Sequence, residues 1–191
     1  MPYTNKQKII LDREDVDNMI ADSFEVFGEE KGLEVSSLIA FLWKAGSRIS
    51  EAVEIKRDDV KTDGDFLLIS VRQKKDRGAK ANPTVLPFKR YEEMEKDYMN
   101  RLIIKQAKRI AFGQLVWDFN RTTAWKYVTK LNNKIFPHTF RHTRATILAD
   151  RGASDSQLRR WFGWSVTSRM PTQYVNQSQL QMRPISRLTD D

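Results

Sequence analysis

The chain's two histidines, His138 and His142, stand four positions apart in PHTFRHTRAT, residues 137–146, with Arg141 between them. On a helix that spacing puts both imidazoles on one face, as two zinc ligands would stand. No glutamate lies between them to act as a general base, and the chain has no cysteine to complete a thiolate site. Read instead as HxxR, the stretch places His138 and Arg141 on one helical face, where a neutral imidazole and a fixed guanidinium can hold the same phosphate. A packing role, with His142 in the core and the other two exposed, is the third reading.

Three further stretches carry side chains suited to an anion. In AGSRISE, Arg48 has Glu51 three residues on, a spacing that makes either a surface ion pair or part of a site. Between residues 72 and 90 stand seven basic residues, Arg72, Lys74, Lys75, Arg77, Lys80, Lys89 and Arg90, against the single acid Asp76. Such a turn can grip a nucleic-acid backbone or remain a solvated loop. In WFGWSVTSRMPTQYVNQS, Tyr174 follows Trp164 by ten residues, and its phenol is a nucleophile once it loses its proton.

The elements that must position these groups read mostly as helix. Asp12 is a fitting N-cap for REDVDNMIADSFEVF, in which Val16, Met19, Ile20, Phe24 and Phe27 share one face. The chain turns around GEEKGLE, and VSSLIAFLWKAG is a second helix closed by Gly46, with Ser50 placed to cap a short further one. Arg48 thus sits in a tight connection between helices. DFLLISVRQ and PTVLPF are extended apolar runs around a polar, Gly-containing turn, which predicts a small antiparallel hairpin with EIKRDDV as a third strand. Helices resume from Tyr91, with acidic residues early and basic ones late, and again in TTAWKYVTKLNNKIF, where Trp125, Val128 and Leu131 are expected inward. RHTRATILADRGASDSQLRRWFGW reads as two helices broken at Gly152. The fold class expected is mainly α with a small antiparallel β-sheet, α+β.

At 191 residues, 40% of them hydrophobic, the chain is long enough for one domain with its own core. The balance of 33 basic against 25 acidic residues, +8, favours a polyanionic partner. No apolar run is long enough for a membrane span, and MPYTNKQK lacks the apolar core of a secretory signal. Without cysteine no disulfide is possible, and a cytoplasmic location is expected.

In this order along a basic chain, the boxes resemble those of tyrosine recombinases of the phage-integrase family. AGSRISEAVEI is similar to the first-arginine box, PHTFRHTRAT to the HxxR box, and FGWSVTSRMPTQYV to the box that ends in the nucleophile. The last two are closest in form to archaeal integrases, and the resemblance spans residues 11–178.

The resemblance implies the tyrosine-recombinase catalytic-domain fold over 11–178, with a linker or tail at 1–10 and a C-terminal tail at 179–191. It makes Arg48 and Arg141 the clamp on a scissile phosphate and Tyr174 the nucleophile that forms a 3′-phosphotyrosyl intermediate. His138 assists proton transfer, and Trp164 stands where many members carry a second histidine. The turn lysine matches Lys75, with Lys74 as its rival. Lys74, Arg77, Lys80 and Arg144 are the expected DNA contacts, and Glu51 and His142 the supporting residues, His142 from behind the helix. The implied partner is double-stranded DNA of a mobile element, bound by a tetramer of the protein, with no metal, ATP or other cofactor. Either the chain is an excised catalytic domain or it is a minimal recombinase. A type IB topoisomerase, which shares the chemistry, and a non-catalytic DNA-binding module are the rival functions.

Overall fold

Asp12 opens the first helix as its sequence suggests. Its carboxylate accepts from the Asp15 N–H at 2.8 Å, while Asp15 accepts from the Asp12 N–H at 3.1 Å, a reciprocal cap. The computed structural model describes residues 10–72 and 83–177. In chain order they form α1 (Arg13–Ala45), α2 (Ile49–Ala52), a 3₁₀ turn (Arg57–Asp59), β1 (Val60–Asp63), β2 (Phe66–Val71), β3 (Thr84–Lys89), α3 (Met94–Lys108), α4 (Arg121–Leu131), α5 (Pro137–Asp150), α6 (Asp155–Phe162) and α7 (Met170–Gln177).

The turn expected near GEEKGLE is a single break inside α1, where Gly28 takes φ 74°. Beyond it the helix is buried all round, from Leu33 through Val35, Leu38, Ile39, Phe41 and Leu42, and α3, α4 and α5 pack against it. Trp117 is fully buried there, and its indole N–H donates to the Ser37 hydroxyl at 2.9 Å. Each fully buried large side chain of this kind contributes roughly 1.5–3 kcal/mol, so this half of α1 is the axis of the core.

The three strands pair antiparallel in the order β1-β2-β3. Leu67 faces Phe88 and Ile69 faces Leu86, and this inward set is buried with Val71. The third strand begins later than EIKRDDV suggested. Asp59 accepts from the Lys56 N–H at 2.9 Å and is clasped by both ends of the Arg72 guanidinium at 2.7 and 2.9 Å. That carboxylate draws its own backbone into a turn, so the ladder starts at Val60. On α4, Ala124 and Val128 face the core, whereas Trp125 is 44% exposed and stacks on Phe136 at 6.2 Å. Tyr127 takes the inner aromatic place expected of Trp125, edge-on to Phe27 and Phe119.

A second, smaller core joins the last three helices through Ala145, Ala149, Leu158, Phe162 and Tyr174. No described helix is long and apolar enough to cross a membrane.

Candidate active site

Gly46 ends α1 in a left-handed turn at φ 61°, and its N–H bonds the Leu42 carbonyl at 2.8 Å. A side chain there would meet Arg144 Cβ and the Phe162 ring, each 2.8 Å from its Cβ, so only glycine fits. The reversal makes Arg48, not Ser50, the N-cap of α2. Glu51 is 2% exposed. It accepts from the Arg48 N–H at 3.0 Å and from Arg48 Nη1 at 2.7 Å. The Arg48 side chain stays 41% exposed, so one edge of its guanidinium is fixed and the rest is presented to solvent.

Arg141 comes from α5 and is only 4% exposed. Its Nη1 donates to the Gly46 carbonyl at 3.1 Å and its Nη2 to the Phe162 carbonyl at 2.8 Å. The guanidinium lies over the rings of Phe162, at 4.9 Å, and Trp164, at 5.3 Å. The two carbonyls end α1 and α6, the negative poles of those helices. Burial lowers the Arg141 pKa to about 10, and the charge of Arg48 adds to the fall. It remains a cation at neutral pH. Among the described residues no carboxylate comes within ion-pair distance of it.

Tyr174 stands on α7, 8% exposed. Its ring lies parallel to Trp164, with centroids 5.7 Å apart and planes 5° apart. Its hydroxyl is 2.8 Å from His142 Nδ1. Burial raises the Tyr174 pKa above its ordinary value, and the Arg141 charge opposes that rise. The tyrosine is therefore protonated at rest.

The structure thus gathers Arg48, Glu51, Arg141, Trp164, Tyr174 and His142. His142 does not support α5 from behind. It follows Arg141 by about 100° around the helix, which turns it toward α7. His138 lies exposed on the first turn of α5, beyond Pro137 and one turn before Arg141. Among the described residues no three His, Cys, Asp or Glu side chains come together as a metal site would require.

Arg144, expected as a DNA contact, is largely buried instead. Its stem packs against Gly46, its guanidinium lies 5.9 Å over Trp161, and its Nε has no hydrogen-bond partner. The α5 face that carries it is turned toward α1 and α6, and burial lowers its pKa to about 10. Lys74, Lys75, Arg77 and Lys80 lie outside the described residues. Of their basic neighbours, Arg72 is engaged by Asp59, and Lys89 lies over the Tyr91 ring at 5.6 Å.

Sequence reasoning missed Arg159. Its Nη1 donates to the carbonyls of Ser165, Val166 and Ser168 at 2.7, 2.9 and 2.8 Å, gathering the loop that leads into α7. Thr172 adds a bond from α7 to Asp155 at 2.6 Å. Partners that are backbone carbonyls leave no residue pattern to find. An apolar groove of about 530 Å³ between β3 and the ends of α5 and α6 is lined by none of the gathered residues.

Residues 10–180 match the phage integrase family. The chain is 25% identical over 153 residues to tyrosine recombinase XerD of Staphylococcus saprophyticus, covering 76% of this chain and 51% of the relative. It is 29% identical over 120 residues to tyrosine recombinase XerA of Pyrococcus horikoshii, covering 60% and 41%. The chain spans about half the length of the curated relatives it matches. In fold it is similar to XerH site-specific recombinase bound to palindromic difH substrate in a post-cleavage complex, with a TM-score of 0.68 at 15% identity over 98% of this chain and 55% of that one.

Proposed function

The chain belongs to the phage integrase family, and from that premise we propose that it is a site-specific DNA recombinase that cuts and rejoins strands through a phosphotyrosyl intermediate. One observation carries the reading. A buried guanidinium, Arg141, is anchored by two backbone carbonyls, feels the charge of Arg48, and lies over Phe162 and Trp164, the rings that share a small core with Tyr174. Two cations, of which only Arg48 is paired with a carboxylate, leave positive charge for a phosphodiester to neutralise.

In this mechanism Arg48 and Arg141 bind the non-bridging oxygens of the scissile phosphate and stabilise the added charge of the transition state. The Tyr174 oxygen bonds to phosphorus, the bond to the 5′ oxygen breaks, and that oxygen takes a proton. Lys75, or Lys74 in its place, supplies this proton as a cation beside other cations. His138, at the exposed start of α5, assists proton transfer from the rim. Trp164 fixes the nucleophile's ring by stacking on it. The phosphotyrosyl bond conserves the energy of the broken one, so rejoining needs neither ATP nor metal. Trp164 carries Arg141 over its ring and Tyr174 stacked beside it in the same chain, which supports cleavage within one protomer.

The substrate proposed is double-stranded DNA, engaged by a tetramer, in the cytoplasm and on a mobile element. The catalytic unit is residues 11–178, flanked by tails. A plasmid carrying two copies of a selected target site tests the reading. Strand exchange between the copies is expected. Relaxation of supercoils without exchange would make the protein a topoisomerase, and binding with neither would make it a non-catalytic module.

A further inference from the structure

The Tyr174 hydroxyl has one hydrogen-bond partner among the described residues, His142 Nδ1 at 2.8 Å. The family resemblance implies proton chemistry at His138, yet His138 is exposed on the first turn of α5 while His142 meets the phenol. A phenol must shed its proton as it attacks, and an acceptor has to be within about 2.6–3.2 Å of the oxygen that carries it. His142 meets that condition in place. The neutral tautomer that accepts at Nδ1 carries its proton on Nε2.

Resting on the reading of Tyr174 as nucleophile, we propose that His142 is a catalytic residue, the general base that takes the Tyr174 proton during cleavage and returns it during rejoining. In the forward step the phenolic proton passes to Nδ1 as the oxygen–phosphorus bond forms. The electron pair of the breaking bond leaves with the 5′ oxygen, which is protonated by a separate acid, Lys75 or Lys74. In the reverse step the 5′ hydroxyl attacks and returns its proton to the deprotonated form of the acid, the bond from phosphorus to the tyrosyl oxygen breaks, and that oxygen recovers its proton from the imidazolium. The two proton transfers of each step therefore use different groups.

The arrangement follows from the helix. Arg141 and His142 are consecutive on α5, so one backbone sets both the phosphate cation and the proton acceptor. The Trp164 stack, planes 5° apart, and the 48° tilt of the imidazole against the phenol restrict the ring to that partner. A histidine that served only packing would have no need to aim a ring nitrogen at the reacting oxygen.

The test is single-turnover cleavage of a nicked duplex by the full chain, wild type against His142→Ala and His142→Asn. DNA binding is measured in parallel. Each variant is expected to bind normally and cleave about 10²- to 10⁴-fold more slowly. Added imidazole should restore part of the rate in His142→Ala. A substrate with a 5′-bridging sulfur, whose leaving thiolate needs no proton, should not rescue either variant, because the missing group is a base. Wild-type rates in both variants would overturn the proposal. So would rescue by the sulfur substrate, which would make His142 an acid. His142→Asn keeps a hydrogen-bond acceptor, so full activity in that variant alone would assign His142 a positioning role and overturn it too. These outcomes leave the tyrosine reading intact, whereas a wild-type adduct absent or mapped elsewhere would remove that reading itself.

Discussion

Arg141 donates to the carbonyl of Gly46 at 3.1 Å, and Gly46 is the residue that turns the chain toward Arg48 two positions on. One peptide unit thus links the two guanidiniums, which come from positions far apart in the sequence. The left-handed turn at φ 61° and the contacts at 2.8 Å leave no room for a methyl group. Gly46→Ala is expected to destabilise the fold by about 2–3 kcal/mol. It should also slow DNA cleavage beyond what the loss of folded protein explains. Denaturant unfolding with cleavage per folded molecule checks both.

Glu51 aims Arg48 by accepting from both its backbone and its side chain. In Glu51→Gln the amide cannot meet the Nη1 donor with a second acceptor, so the guanidinium loses its fixed edge. We expect a stability loss of about 1–2 kcal/mol and cleavage about tenfold slower, with DNA binding little changed. Adduct formation at saturating enzyme is the readout.

Arg159 touches neither the arginine pair nor Tyr174, yet its three bonds to the loop before α7 set where that helix begins. Arg159→Ala is expected to slow adduct formation about ten- to a hundredfold through misplacement of Tyr174. The fluorescence of the stacked Trp164 should change as well. An unchanged cleavage rate would remove Arg159 from the positioning of the nucleophile.

Lys44 is half-buried beside Arg144 and lies over the Phe88 ring at 5.4 Å. Burial first, then the Arg144 charge, lowers its pKa from 10.5 to about 8. Between those pH values the unfolded chain holds a proton that the folded one has released, so this group makes stability rise with pH across the window. Below pH 8 both states are charged and the folded state carries the whole cost. Lys44→Met should therefore stabilise the protein at pH 7 by about 1–2 kcal/mol, allowing for the lost ring contact. That gain should shrink toward pH 10.5, as thermal melts across pH will show.

Much of the frame is legible in the residues. Asp12, Gly46 and Gly152 mark helix ends by their chemistry, and the alternation of Leu67, Ile69 and Val71 marks a half-buried strand. The order of the arginine boxes and Tyr174 picks out residues that the fold brings near one another, Arg48, Arg141, Trp164 and Tyr174. What escaped depended on rotation and on backbone partners. Consecutive helix residues point about 100° apart, so nothing in RHT tells whether His142 or its neighbour meets α7. Trp125 and Tyr127 are both apolar enough for the core, and only the packing against Phe27 and Phe119 selects Tyr127. Arg159 bonds carbonyls, which every residue supplies. The carboxylate of Asp59, which delays β1, reads in sequence like any strand-flanking acid.

In the mechanism we propose, the Tyr174 oxygen attacks a phosphate held by Arg48 and Arg141. That attack is tested most directly by trapping the protein on a nicked suicide duplex, digesting the covalent complex and identifying the modified peptide by mass spectrometry. A 3′-phosphoryl nucleotide on Tyr174 is expected, absent in Tyr174→Phe and strongly reduced in Arg141→Lys, with DNA binding retained in both. An adduct on another residue, a 5′ linkage, or no adduct from a wild-type chain that binds the duplex would contradict it.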